Sequence, residues 1–387
     1  MYNVMQDFGF ELPTKIEFGI GSIKKLKNEL RDLNADNVLI VTDKGVLEAG
    51  IVDKIVRTID DTNINYSVYD EVEPNPKDYN VEEGAEKAEE IGADALIGLG
   101  GGSSIDCAKS IGVLLSHQKN QIKNYEGKST IKNRITPLIT IPTTAGTGSE
   151  VTFSSVITDT KNDYKMTIKD PLIAPKLALM DPELTKTLPP EVTASTGVDA
   201  LTHAIEGYTC NQAEPLSDAA ALYSIELINE YLRTAYCEEN NLKARSGMLL
   251  GSLLGGIAFS HSDVASVHAM AESLGGLYDA PHGVCNSVLL PYVMEYNMDY
   301  AKERYARIGK IMNAEFQTNE EGAKKAVQKV NKLTKDLNLP EFSEIGKREK
   351  NLEKLSKMAA KNISTESNPR PMNQKDYLKV FKKASKN

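Results

Sequence analysis

Five histidines occur in the 387 residues: His117, His203, His261, His268 and His282. Asp199 and His203 stand four apart in GVDALTHAIE, so one face of a helix presents both side chains. His268 lies in a helical stretch, SVHAMAESLGG, and His282 in DAPHGVCN, which reads as a Pro/Gly loop. One carboxylate and up to three imidazoles suit a borderline divalent ion such as Fe²⁺ or Zn²⁺. Taken singly, each of these histidines reads better as a satisfied core or surface residue. The metal interpretation comes from their combination with a nucleotide-type loop upstream. His261, in a Ser-His-Ser-Asp loop, reads as surface or cleft lining, and His117, at a helix end, would suit the helix dipole as an imidazolium. Cys285 reads as a small buried thiol, and Cys107 as structural, at a helix start where a thiol pKa is open to lowering.

The upstream loop is Gly98-Leu-Gly100-Gly101-Gly102-Ser103-Ser104-Ile-Asp106, directly after a strand pattern and before a helical one. Glycines there let the backbone approach a phosphate and present amide groups to it, and the helix N-terminus adds a favourable partial charge. A tight strand-to-helix turn without ligand is the alternative, although three consecutive glycines exceed what a turn needs. Asp106 suits the dipole at the helix start. No Lys-Ser/Thr follows the glycines, so this is not a P-loop. Asp43 ends an earlier strand, where a carboxylate either accepts from a ribose 2′-hydroxyl, favouring NAD over NADP, or caps a helix. The segment from Thr143 to Ser149, which includes Thr144 and Thr147, is hydroxyl- and glycine-rich apart from its alanine, and suits wrapping a ribose or nicotinamide.

These loops need a scaffold that alternates strands and helices. Strand patterns fall at 37–42, 65–68, 95–99, 136–141 and 177–180, with helical spacing over 46–59, 83–91 and 105–115, which implies a parallel doubly wound sheet. DPELTKTLPPEV reads as a linker. Beyond it, helical runs dominate at 192–208, 217–235, 242–259, 265–277, 300–312 and 320–337. The expectation is an α/β domain over 1–184, an all-helical domain over 185–387, and a ligand cleft between them.

Composition narrows the class. Asp+Glu exceed Lys+Arg by 54 to 45, for a net charge of −9, which disfavours nucleic acid and anionic membrane surfaces as partners. No apolar run reaches a membrane span, the start MYNVMQDFGFELPTK lacks signal-peptide character, and the four scattered cysteines suit reduced thiols in the cytoplasm.

GGGSSIDCAK, IPTTAGTGSEVT, GVDALTHAIE and VHAMAESLGGLYDAPHG, in this order, resemble the iron-dependent (group III) alcohol dehydrogenases. The likeness runs from PTKIEFGIGS through VEPNP to NPRPMNQKDYLKVFKKA. It implies a Rossmann-like N-terminal domain followed by a helical domain, the dehydroquinate-synthase-like architecture. It carries four metal ligands onto Asp199, His203, His268 and His282. It carries nicotinamide contacts onto Asp43, Asn75, Gly101, Gly102, Ser103, Thr143, Thr144, Thr147, Ser149 and Lys165, beside Asp106 in the same motif. Many members have a second histidine four residues after the third ligand. Here that position is Glu272, which could relay a proton, hold a water or touch the metal.

The implied activity is reversible, metal-dependent, NAD(H)-linked oxidation of small primary alcohols or diols and reduction of aldehydes. The implied metal is Fe²⁺, with Zn²⁺ or Mn²⁺ as alternatives, and the implied assembly is a homodimer or larger homo-oligomer. Phe153, Leu254, Phe259 and Tyr278 are candidate pocket walls. Rival activities are those of glycerol dehydrogenase, maleylacetate reductase, hydroxyacid–oxoacid transhydrogenase, or a dehydroquinate-synthase-like lyase. The lyase would need a grip of cations that the segments around His203, His268 and His282 lack.

Overall fold

The computed structural model describes residues 7–60, 62–117, 121–162, 164–345 and 351–386, so the first six residues of the start read as lacking signal-peptide character lie outside the description. The chain forms two compact units. One comprises Glu11–Thr144 and Gly148–Leu188; the other comprises Pro189–Asn387, the residues up to Phe10, and Ala145–Thr147. The sequence boundary was set four residues earlier, after 184.

Among the described residues the first unit has nine strands: β1 (Lys15–Phe18), β2 (Asn37–Val41), β3 (Asn65–Tyr69), β4 (Ala95–Gly100), β5 (Gly127–Lys128), β6 (Leu138–Pro142), β7 (Ser154–Asp159), β8 (Tyr164–Lys169) and β9 (Leu177–Met180). Six of them make a parallel sheet in the order β1-β9-β6-β4-β2-β3, and β5, β8 and β7 make a small second sheet. Every residue of β4 and β6 is buried, as expected of parallel strands covered on both faces. The two faces divide β2 by alternation: Val38 and Ile40 join the core that holds Leu26, Ile51 and Ile55, whereas Leu39 and Val41 join the core of Ala108 and Ile111. The α-helices that accompany the sheet are α1 (Leu26–Asp32), α2 (Lys44–Glu48), α3 (Ile51–Val56), α4 (Asp78–Glu90) and α5 (Gly102–His117).

Several sequence expectations are corrected. The single helix at 46–59 is two, broken at Gly50, whose φ of 69° is left-handed. The edge strand β1 and the small sheet were not anticipated, because short, half-exposed segments such as KIEF carry little periodicity. The linker at 181–192 is structured. Asp181 caps a short 3₁₀ helix at Pro182–Thr185, and Pro190 opens the next helix at the position where its missing N–H costs nothing.

The second unit is helical: α6 (Pro190–Thr209), α7 (Pro215–Cys237), α8 (Leu242–His261), α9 (Ser266–Tyr278), α10 (His282–Asn297), α11 (Lys302–Ile311), α12 (Asn319–Asp336), α13 (Phe342–Ile345), α14 (Leu352–Ala359) and α15 (Gln374–Ala384). From Thr193 to Thr209 nearly every residue of α6 is buried, which makes it the unit's central helix. Among the described residues no single helix is long and apolar enough to cross a membrane; α8 and α9 satisfy the test only as a pair, bent by 104°.

Candidate active site

Helix α6 presents Asp199 and His203 one turn apart, α9 contributes His268, and His282 is the first residue of α10. The expected loop at His282 is therefore a helix start, preceded by Pro281 as the cap residue. Gly283 explains how it reaches the others. A Cβ there would lie 2.4 Å from the Ser195 carbonyl oxygen and 3.3 Å from the Asp199 Cβ, so only glycine lets α10 press this closely onto α6. One candidate ligand atom from each of Asp199, His203, His268 and His282 falls within 4.8 Å of all the others. His203 and His268 stack at 4.6 Å, and Phe259 stacks on His203 at 4.4 Å.

Two further residues hold this group, and neither was singled out in the sequence. Glu206 accepts from His268 Nδ1 at 2.6 Å, from Val267 N at 2.7 Å and from Ala265 N at 2.9 Å. It fixes the proton on Nδ1 and leaves Nε2 as the ring's acceptor, as a carboxylate behind a metal-binding histidine does. Its signal was legible: Asp199, His203 and Glu206 are spaced i, i+4, i+7 along one helical face. Asn286, one turn after His282, donates from Nδ2 to Asp199 Oδ1 at 2.6 Å and lies 3.3 Å from His268 Nε2 and 3.2 Å from His282 Nε2. Three acceptors thus converge on one partly positive group. The buried Asn286 Oδ1 has no hydrogen-bond partner. Converging lone pairs from one carboxylate and three imidazoles fit a divalent cation.

The electrostatics agree with ligands kept unprotonated in part. Burial pushes His203 down to about 4, against the pull of Asp199. Burial also opposes the imidazolium of His268, but the hydrogen bond and charge of Glu206, with Asp199 and Glu272, outweigh it and hold His268 above its ordinary value. For Asp199, burial is outweighed by the three imidazoles and Asn286, and its carboxyl lies below the usual range. Glu272 lies one turn beyond His268 on α9, where it accepts from Asn362 Nδ2.

In the α/β unit, the sheet order reverses between β2 and β4, and ligands of doubly wound sheets bind at such a point, beyond the carboxyl ends of the strands. Asp43 follows β2, and Gly101, Gly102 and Ser103 follow β4 at the start of α5. Asp43 does what the capping alternative foresaw: Oδ1 accepts from Val46 N and Oδ2 from the Ser104 hydroxyl, both at 3.0 Å. Gly100 has φ of 144°, and a Cβ would sit 2.6 Å from Ser104 Oγ. Thr143 N donates to Gly100 O, so the two loops run side by side, and a Cβ on Gly101 would meet Thr144. Lys165 Nζ donates to Asn75 Oδ1 at 2.7 Å, bringing two more candidate residues together. Thr147 falls in the helical unit.

Asp106 and Ser149 have internal partners. Ser149 donates to Asp106 Oδ1, Val156 N donates to Oδ2, and the fully buried Lys109 donates to Ser149 Oγ, Thr152 Oγ1 and Ser154 O. Burial lowers Lys109 to about 8, against Asp106 and Glu150, and raises the neighbouring buried Glu150 to about 7. Lys109 was missed because one lysine on an apolar helix leaves no spacing signal.

The remaining candidates fall elsewhere. His117 is not an imidazolium at a helix end: its Nε2 accepts from Lys132 N and Asn133 N, which requires a neutral ring donating from Nδ1 to Val113 O. Burial raises the Cys107 thiol, overriding any lowering by the helix terminus. Of the candidate pocket walls, Phe259 touches the histidine group. Phe153 is buried in the α/β unit, Leu254 is half-buried on α8, and the Tyr278 hydroxyl accepts from Asn351.

Comparison with known proteins places this arrangement. The family model "Iron-containing alcohol dehydrogenase" matches residues 13–182, and "Fe-containing alcohol dehydrogenase family, C-terminal" matches residues 193–385. By class the protein is an alcohol oxidoreductase. The chain belongs to the iron-containing alcohol dehydrogenase family. It is similar to a choline dehydrogenase of Bacillus subtilis, 42% identical over 98% of this chain and 96% of the relative. It is also similar to an NAD-dependent methanol dehydrogenase of Bacillus methanolicus, 34% identical over 97% and 99%. The crystal structure of a 1,3-propanediol oxidoreductase superposes with a TM-score of 0.95 at 37% identity, over 98% of this chain and all of that one.

Proposed function

We propose that the protein is a metal-dependent, NAD(H)-linked alcohol dehydrogenase and aldehyde reductase acting reversibly on small primary alcohols or diols. The observation that carries this is the convergence of Asp199, His203, His268 and His282 within 4.8 Å, with Glu206 orienting one of the rings. These four residues hold a divalent cation, Fe²⁺ first, with Zn²⁺ or Mn²⁺ as alternatives. Asp43, Asn75, Gly101, Gly102, Ser103, Asp106, Thr143, Thr144, Thr147, Ser149 and Lys165 form the nicotinamide cofactor's site. When bound, the cation supplies Lewis acidity toward an alcohol or carbonyl oxygen, and the nicotinamide supplies the hydride exchange.

The chain's own residues supply position. Glu206 keeps the His268 ring in one tautomer and one orientation. Asn286 steadies Asp199. The amide groups at the start of α5 receive phosphate, and the buried Lys109 ties the 149–154 segment to that helix. The NAD dependence and substrates named for its relatives support this assignment. A homodimer or larger assembly in the cytoplasm completes the proposal.

The test follows NADH absorbance with a panel of alcohols, using protein stripped of metal and reloaded with Fe²⁺, Zn²⁺ or Mn²⁺. Metal-dependent turnover is expected, and equal turnover by stripped enzyme refutes the ligand assignment.

A further inference from the structure

We propose that Lys109 is a positioning residue of the nicotinamide cofactor's site: its ammonium group serves as an internal cation that holds Ser149 and Asp106 in place to receive the cofactor. The proposal rests on the assignment of Asp106 and Ser149 to that site, and on nothing at the histidine group.

Oxygens surround Lys109 Nζ as they would a bound monovalent cation. Ser149 Oγ and Thr152 Oγ1 accept from it at 2.9 Å and Ser154 O at 2.8 Å, and Asp106 Oδ1 lies at 3.7 Å. A lysine ammonium has three protons, and the three acceptors take them, so the charged form is the one these oxygens fit. The Lys109 side chain is completely buried. It therefore cannot touch a cofactor itself, and acts only through the groups that it holds. A buried charge is costly unless it is paired and hydrogen-bonded. Asp106 and the three acceptors meet both conditions here.

Asp106 carries this hold to the start of α5. Ser149 donates to its Oδ1, and Val156 N donates to Oδ2 at 3.0 Å. Ser155 Oγ donates to the Asp106 backbone oxygen at 2.8 Å and lies 2.9 Å from Ser110 Oγ. The 149–156 segment is thus latched to the first turns of α5, which open with the cofactor candidates Gly102 and Ser103. Burial raises the Asp106 carboxyl, and the charge of Lys109 is the largest influence opposing that rise. Without the ammonium, three oxygens lose their common donor and Asp106 loses the cation beside it. Cofactor binding must then order the segment anew. Each side chain immobilised on binding costs roughly two- to tenfold in affinity, so loosening Asp106 and Ser149 together predicts binding roughly 10-fold weaker or more.

The experiment measures NADH binding by fluorescence titration in the metal-loaded wild type, Lys109→Ala, Lys109→Met and Thr152→Val. Both Lys109 variants should bind NADH roughly 10-fold more weakly than the wild type, or worse. Thr152→Val keeps the side chain's shape but removes one acceptor, and should weaken binding by about two- to threefold. In turnover the Lys109 losses should fall on the KM for NAD⁺ more than on kcat. Lys109→Ala leaves room for the missing part of the side chain, so propylammonium chloride, but not sodium chloride, should return its affinity to within about threefold of the wild type. Propylammonium should do nothing for Lys109→Met, whose side chain fills that room. A packing role alone gives the reverse: a near-normal Lys109→Met and no rescue. NADH affinity within about twofold of the wild type in folded Lys109→Met overturns the proposal, as does a folded Lys109→Ala that propylammonium fails to restore. If Lys109→Ala does not fold, Lys109→Met and Thr152→Val decide by the affinities given. A wild type that binds no NADH refutes the cofactor-site assignment instead, and this proposal falls with it.

Discussion

Glu206 offers the sharpest test of how the histidine group is organised. Its two carboxylate oxygens accept three short hydrogen bonds, from His268 Nδ1, Val267 N and Ala265 N. In Glu206→Gln one oxygen becomes an NH₂ group, which can only donate. Oε1 serves Val267 and Oε2 serves both Ala265 and His268, so either amide orientation sets a donor against a donor. Leaving one buried donor unsatisfied costs about 1–3 kcal/mol of stability. Freed from its acceptor, the His268 ring loses its fixed tautomer, and loss of such a partner typically weakens metal affinity by about 10- to 100-fold, or ~1.4–2.7 kcal/mol. The variant also removes the largest influence raising His268, so the imidazole should titrate at lower pH than in the parent. The assay is threefold: competitive Zn²⁺ titration against a chelating dye, urea unfolding, and the proton NMR titration of His268 in metal-free protein. Metal affinity within twofold of the parent, together with an unmoved His268 titration, would refute the claim that Glu206 orients this ligand.

Further outcomes are expected. His203→Ala should abolish stoichiometric metal binding and turnover together, checked by metal analysis of the purified variant; a fully active variant removes His203 from the ligand set. The wild type should use NADH well ahead of NADPH, and Asp43→Ala should narrow that ratio while losing about 1 kcal/mol of stability as its helix cap is removed. Equal use of both cofactors by the parent would contradict the role given to Asp43. Gly100→Ala should be destabilised by about 1–3 kcal/mol, since its φ is positive and its Cβ would crowd Ser104, with weaker NAD binding by calorimetry. Burial holds Glu150 near 7 in the folded chain against an ordinary 4.5, so the folded protein loses stability as pH rises through that window. Glu150→Gln should therefore be more stable than the parent at pH 8, by up to ~3 kcal/mol, and little different at pH 4.5, measured by urea unfolding at both values.

How much of this was legible in the chain follows from the range of the interactions involved. Local patterns carried the buried strands at 37–41, 95–100 and 138–142, because a strand covered on both faces must be apolar throughout. They also carried the pair Asp199 and His203, because four residues make one helical turn, and the glycines of the 100–102 turn, because backbone conformation is set locally. The edge strand β1 and the small sheet exist only through partners far along the chain, and their own residues are half-exposed. That His282 is brought beside Asp199 depends on Gly283 packing closely on Ser195 of α6, 88 positions earlier in the chain. Glu206, Asn286 and Lys109 act across 62, 87 and 40 or more residues of chain, respectively. The sequence by itself determined the residue types, their helical faces and the alternation of the buried strands with helices ahead of a helical half, since these follow from backbone periodicity and side-chain chemistry. Only the tertiary structure decided which acceptors converge and which carboxylate stands behind which ring. A hydrogen bond between distant segments leaves no period in the sequence, and burial, which sets the charges at the site, is a property of the packed fold.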